Sequence, residues 1–331
     1  MSQKHTIRND WSIDEVRKIY NMGLLALTHE AADVHRTWHD PAAVQLCTLL
    51  SIKTGGCPED CAYCGQAARY HTDIEVKSLM PVEEVLACAK RAREAGSTRF
   101  CMAAAWREVR DNRDFERVLE MVKGVNDLGM EVCCTLGMLS AEQAKRLREA
   151  GLSAYNHNLD SSKDYYQNVI STRTFDDRLL TLQHVRQAGI SVCCGGIIGL
   201  GESEDDRIAM LHKLATLPSH PESVPINALA RVNGTPLANL PKVQVWEMIR
   251  MIATARILMP TTMIRLSAGR SEMSTIEQAW CFMAGANSIF TSEQRELLVT
   301  PNPDLVEDKA MFRLLGLRPL TAYCIKDEDI D

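Results

Sequence analysis

The sequence lacks the features that place a chain in a membrane or on a nucleic acid. No run of Lys and Arg could track a phosphate backbone, and the formal net charge is −6 over 331 residues, so the charge gives no reason to expect a polyanionic partner. The longest apolar runs fall well short of the roughly 20 residues a membrane-crossing helix needs. The N-terminus, "MSQKHTIRNDWSIDEV", has no apolar core of the kind a signal peptide carries. A cytoplasmic, soluble protein that binds neither nucleic acid nor membrane is the expectation. No low-complexity linker or shift in composition marks a domain boundary. Familiar site signatures are missing too: there is no second C-x2-C pair for a zinc ribbon, no H-E-x2-H, and no G-x-G-x-x-G.

What is present is cysteine, 12 residues of it. In a reducing compartment these are thiols or metal ligands rather than a disulfide framework. The chain also alternates in a regular way. Eight β-rich runs stand out: "VQLCTLLSI" (44–52), "TRFCMAAA" (98–105), "MEVCCTLG" (130–137), "LSAYNHNLD" (152–160), "ISVCCGGII" (190–198), "SVPINALA" (223–230), "MIRLSAG" (263–269) and "NSIFTS" (287–292). Between them lie segments with helical apolar spacing at 82–95, 115–128, 141–150, 175–188, 204–214 and 243–258, most of them ending at Gly or Pro. Ser140 with Gln143 has capping-box spacing, and Thr174 precedes the acidic first turn of "FDDRLL".

Strands alternating with helices predict a parallel sheet with right-handed crossovers, and closing it gives a (β/α)8 barrel of the TIM type. An open doubly wound sheet is the alternative, since the alternation does not show closure. The expected organisation is an N-terminal helical extension (1–43), the barrel (44–300), and a C-terminal helix ("DKAMFRLLGL") with an acidic tail (301–331).

In this arrangement the residues with chemical potential fall on strands or just past their C-terminal ends, where barrel enzymes place their sites. After the first strand comes "TGGCPEDCAYCGQ" (54–66), with Cys57, Cys61 and Cys64 spaced C-x3-C-x2-C. Three local thiolates on a four-iron cube would leave one iron without a protein ligand and free to bind substrate. The pairs Cys133–Cys134 and Cys193–Cys194 each put one side chain on either face of a strand, and spacing alone does not say which faces in. Arg265, a guanidinium without a lone pair, reads as the partner of a buried carboxylate or as a charge balancing a cluster. Cys47, Cys88, Cys281 and Cys324 read as core or surface thiols, and His157 as structural.

The C-x3-C-x2-C loop, with Tyr63 before its last cysteine, resembles the signature of the radical S-adenosylmethionine superfamily. "LLSIKTGGCPEDCAYC", "GSTRFCMAAAW", "YNHNLD", "STRT", "GGIIGLGE", "ESVPIN", "IRLSAGR" and "FMAGANSIF" together resemble its biotin synthase family over residues 44–317. The resemblance implies that Cys57, Cys61 and Cys64 hold a [4Fe-4S] cluster whose open iron chelates S-adenosylmethionine. Reductive cleavage there yields a 5′-deoxyadenosyl radical. It further implies that Cys101, Cys133, Cys193 and Arg265 hold a [2Fe-2S] cluster supplying sulfide, and that Tyr63, Asn158 and Asp160 contact the cofactor. Asn156 and Asn227 would bind the ureido ring of dethiobiotin, into which sulfur is inserted between C6 and C9. A small electron-transfer protein as reductant and a homodimer are implied as well. The rivals are a sister radical enzyme of maturase or mutase type, an electron carrier and a zinc scaffold.

Overall fold

All the β-rich runs enter one parallel sheet in the computed structural model, which describes residues 7–291 and 304–320. The strands are β1 (Ala43–Lys53), β2 (Arg99–Ala104), β3 (Glu131–Thr135), β4 (Ala154–Asn156), β5 (Ser191–Cys193), β6 (Gly196–Ile198), β7 (Ser223–Ala228), β8 (Met263–Leu266), β9 (Ser288–Phe290) and β10 (Arg318–Pro319). They run in the order β1-β2-β3-β4-β5-β7-β8-β9, and β9 pairs back onto β1 through Gln45–Ser288 and Leu46–Ile289. The sheet is therefore a closed (β/α)8 barrel, and the open-sheet alternative is excluded.

Three details differ from the sequence reading. The run 190–198 is one stave made of two strands, since β5 and β6 both pair with β7. The break falls at Gly195, where a Cβ would lie 2.0 Å from the carbonyl oxygen of Pro225, and where the Asn158 side chain takes the backbone N–H at 3.1 Å. The N-terminal extension is two helices, α1 (Ile13–Tyr20) and α2 (Leu24–Trp38), parted at Asn21–Gly23. Beside the C-terminal helix lies β10, which adds parallel to the start of β1 and was not foreseen. The acidic tail lies outside the described residues.

The crossover helices α3 (Val82–Glu94), α4 (Arg113–Asp127), α5 (Ala141–Glu149), α6 (Phe175–Gln187), α7 (Glu204–Ala215), α8 (Val245–Leu258) and α9 (Thr275–Met283) surround the barrel, followed by α10 (Leu305–Leu315). Ser140 and Thr174 both close reciprocal capping boxes, on α5 with Gln143 and on α6 with Asp177, each cap worth about 1 kcal/mol. Alternation along the strands then produces two interiors. Outward residues such as Leu46, Leu50, Phe100, Met102, Cys134, Val192 and Cys194 pack against the helices in the main apolar core, where each large side chain contributes about 1.5–3 kcal/mol. Inward residues Cys47, Cys101, Cys133 and Ala154 form a separate cluster on the barrel axis.

Candidate active site

The site is stratified along that axis, with the three-cysteine loop at the C-terminal rim. Gly55 and Gly56 both take left-handed backbone (φ 69° and 66°), which turns the chain sharply after β1. The loop then pairs with itself: Cys57 N–H donates to Gln66 O at 2.9 Å, and Cys64 N–H to Cys61 O at 2.9 Å. It is also tied to the "STRT" segment. The backbone N–H groups of Ser171 and Thr172 donate to Asp60 Oδ1 at 2.9 and 3.1 Å, and both side-chain hydroxyls bond the Glu59–Asp60 carboxylates. Burial works against the charged form of Asp60, but the bonds from Ser171 and Thr172 outweigh it and take the carboxyl down to about 2. The thiols move the other way, Cys61 to about 12 and Cys64 to about 11, chiefly through burial. A metal loading here must displace protons.

Beside Cys61 stands a pair of buried charges with unspent capacity. Arg173 Nη2 is 4.0 Å from Cys61 Sγ, and Arg173 Nε faces Glu59 Oε1 at 3.8 Å. Neither of those last two atoms has a hydrogen-bond partner. A buried polar atom left in that state is costly, so the pair fits a charged ligand such as an amino acid's amine and carboxylate.

Below the rim, Asp160 has a φ of 66°, the one positive value of a non-glycine residue among the described residues. Its Oδ2 accepts from Tyr63 OH at 2.8 Å and from Arg178, whose Nε also donates to Tyr166 OH at 2.7 Å and whose Nη1 donates to Asn158 O at 2.5 Å. Asp160 is thus half of a buried ion pair that also carries the Tyr63 phenol. Arg178, Arg173, Glu59 and Asp60 escaped the sequence reading. Their only sequence signals are a carboxylate pair inside the cysteine loop and arginines within "STRT" and "FDDRLL". His157 is buried with Nε2 unpartnered, and burial with the charges of Arg178 and Arg173 keeps it neutral.

In mid-barrel lies a cavity of about 190 Å³ bounded by Asn156, Asn158, Asn227, Thr135 and Ser267 on its polar side, and by Leu49, Pro225 and Phe290 on its apolar side. The Asn227 amide is oriented by backbone: Nδ2 donates to Gly196 O at 2.9 Å, and Oδ1 accepts from Ala268 N–H at 3.2 Å. One N–H and one lone pair remain for a ligand. Asn156 reaches toward the deeper layer, its Nδ2 donating to Cys193 Sγ at 3.2 Å.

That deeper layer contains Cys101, Cys133, Cys193 and Arg265, each from a different strand, and also Cys47, read above as a core or surface thiol. Cys134 and Cys194 lie in the outer core. Arg265 is 1 % exposed. Its Nη2 donates to Cys47 Sγ at 3.3 Å, its Nη1 to Cys193 Sγ at 3.7 Å and its Nε to Ser288 Oγ at 3.0 Å, and its guanidinium lies 4.7 Å from the centre of the Phe290 ring. Among the described residues no carboxylate forms an ion pair with it, which corrects that reading of Arg265. The anions it can face are thiolates. Burial raises the Cys47 thiol, but the hydrogen bond from Cys101 and the charges of Arg265 and Arg99 bring it down to about 6. Beneath, Arg99 Nε and Gln45 Nε2 both donate to Glu131 Oε2, at 2.7 and 3.1 Å, sealing the N-terminal end.

Among the described residues no three His, Cys, Asp or Glu side chains are grouped so as to hold a single metal ion. Thiols around a buried cation, several from separate strands, suit the larger body of an iron–sulfur cluster. Both cysteine sites therefore fit iron–sulfur groups by the chemistry of their donors.

The arrangement defines a class, and comparison with known proteins agrees. The family model of the Radical SAM superfamily matches residues 51–214, and that of the Biotin and Thiamin Synthesis associated domain matches residues 225–318. Among solved structures, methylornithine synthase superposes with a TM-score of 0.80 at 18 % identity, covering 93 % of this chain and 94 % of that one. The FeFe-hydrogenase maturase of Carboxydothermus hydrogenoformans gives 0.80 at 18 %, covering 96 % and 78 %. These likenesses show the fold alone. The protein is a radical S-adenosylmethionine barrel enzyme.

Relatives of higher identity narrow the family. The chain is 63 % identical to a biotin synthase of Cytophaga hutchinsonii over 96 % of its own length and 94 % of that protein's, and 61 % identical to a mitochondrial biotin synthase of Arabidopsis thaliana over 94 % and 82 %. It belongs to the biotin synthase family.

Proposed function

We propose that the protein makes biotin by inserting sulfur between C6 and C9 of dethiobiotin, using S-adenosylmethionine. The observation that carries this reading is the axial order: an open three-thiol loop, an amide-lined cavity, then a layer of thiols around Arg265. With a [4Fe-4S] cluster and S-adenosylmethionine at the loop and a [2Fe-2S] cluster in the deep layer, these groups supply hydrogen-atom abstraction from unactivated carbon and a sulfide.

Cys57, Cys61 and Cys64 would hold the first cluster, and Cys101, Cys133, Cys193 and Arg265 the second. Asn158, Asp160 and Tyr63 suit the cofactor, with Asn158 and Asp160 accepting from ribose hydroxyls. The Arg178 ion pair and the Tyr63 phenol hold the Asp160 carboxylate in place for that task. Asn156 and Asn227 offer the donor and acceptor a cyclic urea needs, while Leu49, Pro225 and Phe290 pack its carbon skeleton. The narrow, sealed lumen excludes water and holds the reacting carbon near the deep layer, where orientation counts most. Two C–H bonds are lost and two C–S bonds form, so each hydrogen has to leave with the cofactor's adenosyl carbon.

A small electron-transfer protein as reductant, a reducing cytoplasmic location and a homodimeric assembly complete the reading. Among the described residues no helix is long and apolar enough to cross a membrane. Anaerobically reconstituted protein given reductant, S-adenosylmethionine and dethiobiotin should yield 5′-deoxyadenosine and biotin. Formation of neither, with both clusters present, would overturn the proposal.

A further inference from the structure

We propose that the N-terminal mouth of the barrel is an entry port through which small inorganic ions, hydrosulfide and ferrous iron, reach the deep thiol layer, with Gln45, Arg99 and Glu131 as its gate. This rests on the proposed function, in which the deep cluster gives up a sulfide. Each product molecule carries one sulfur away, and that sulfur has to be replaced. The C-terminal route is closed while substrate and cofactor are seated, since it runs through the rim and the cavity of about 190 Å³ that they would fill.

At the opposite end lies a larger cavity, of about 890 Å³, whose inner wall is Gln45, Arg99, Glu131 and Met263 and whose outer wall is formed by residues 7–9 and 218–222. One layer of side chains parts it from the thiols. Gln45, Arg99 and Glu131 each precede a lumen cysteine, Cys47, Cys101 and Cys133, by two residues on the same strand, an axial step of about 6.6 Å.

The composition of that layer does not suit a permanent plug. The interior layers of such barrels are ordinarily packed with bulky branched apolar side chains. Here the layer is an ion pair, Arg99 to Glu131 at 2.7 Å, and 27 % of the Glu131 side chain is exposed. Arg99 is buried, yet its Nη1 has no hydrogen-bond partner. An unpartnered buried N–H is costly in a fixed seal, but it suits a group that meets passing anions. Arg99 draws hydrosulfide, and the Glu131 carboxylate offers ferrous iron an oxygen ligand. Both side chains are long and unbranched, so a change of rotamer opens the layer without moving the strands. The passage makes and breaks no covalent bond, and sulfur crosses at the sulfide level, so neither oxidant nor reductant is needed.

The test follows rebuilding of the deep cluster in the full chain. One anaerobic turnover uses that cluster up. The protein is then desalted, and radiolabelled sulfide with ferrous iron is added beside saturating S-adenosylmethionine and dethiobiotin, with no electron donor. Bound label and the Mössbauer signal of the second cluster are followed in time. Wild type should rebuild at the same rate whether the C-terminal end is occupied or empty. Met263→Trp, which fills the mouth, should slow rebuilding severalfold while the loop cluster assembles at its normal rate, and Glu131→Gln, which loosens the ion pair, should speed it. Rebuilding that seated substrate and cofactor block, or that runs at the wild-type rate in Met263→Trp, would overturn the port, and an unchanged rate in Glu131→Gln would overturn the gate. Should Met263→Trp fail to fold, the wild-type comparison decides alone. A first turnover that leaves the deep cluster intact would instead overturn the reading beneath it.

Discussion

The two cysteine sites are built in opposite ways. At the rim, Cys57, Cys61 and Cys64 come from one short loop, with Cys57 and Cys64 part-exposed and the whole tied down by Asp60 to Ser171 and Thr172. On the axis, Cys47, Cys101, Cys133 and Cys193 come from four strands and are buried, Cys101 and Cys133 as register partners on β2 and β3, and closure of the barrel brings Arg265 of β8 across to Cys47 and Cys193. A local loop can present an open metal to an incoming cofactor. A lumen formed by closure can shut a reactive sulfide away from solvent. The family's chemistry needs both, and the barrel supplies each where its geometry is cheapest.

If the two sites divide the labour, the largest effect belongs to the loop. Cys61→Ala should reduce both S-adenosylmethionine cleavage and biotin formation to background, measured as 5′-deoxyadenosine and biotin by mass spectrometry. Persisting cleavage would break the comparison at its rim.

A second test asks whether the level between them is structural. Arg178 and Asp160 are both buried and paired, so Arg178→Met strands a buried carboxylate. It should cost about 3–5 kcal/mol in denaturant unfolding, more than any single thiol-to-serine change on the axis.

A smaller effect separates rim from wall by acid. His35 on α2 and His39 at its C-cap, an H-x3-H pair that the sequence reading overlooked, are held down to about 3 and about 4, first by burial and then by the charge of Arg256. Unfolded histidine titrates near 6.5, so as the pH falls below that the unfolded chain takes up protons that the folded chain refuses. Stability is full above about pH 6.5 and declines toward the folded values, by about 2 kcal/mol for His35 alone at pH 5. Asp60, ionised down to about 2, holds the loop throughout that window. A stability–pH profile of the cluster-free chain should show the decline, and His35→Phe should flatten it.

Much of this was legible in the sequence. Alternating runs and Gly stops marked the barrel staves because parallel strands and crossover helices have different apolar periods. The cysteine loop was legible because its ligands are close in sequence. What remained hidden depends on closure or on direction. Gly195 splits a stave because Pro225 approaches from the next strand, a long-range contact. Cys47 sits on a continuous run, "VQLCTLL", in which the inward and outward faces look alike. The Asp160–Arg178 pair spans an ion pair between a strand end and α6 that no spacing rule announces.

The division of labour is tested most directly with Cys133→Ala and dethiobiotin deuterated at C9. Deuterium should still appear in 5′-deoxyadenosine, because the loop is intact, while no biotin forms. Biotin produced by that variant, or loss of deuterium transfer from a folded protein that retains its loop cluster, would contradict the separation of the two sites.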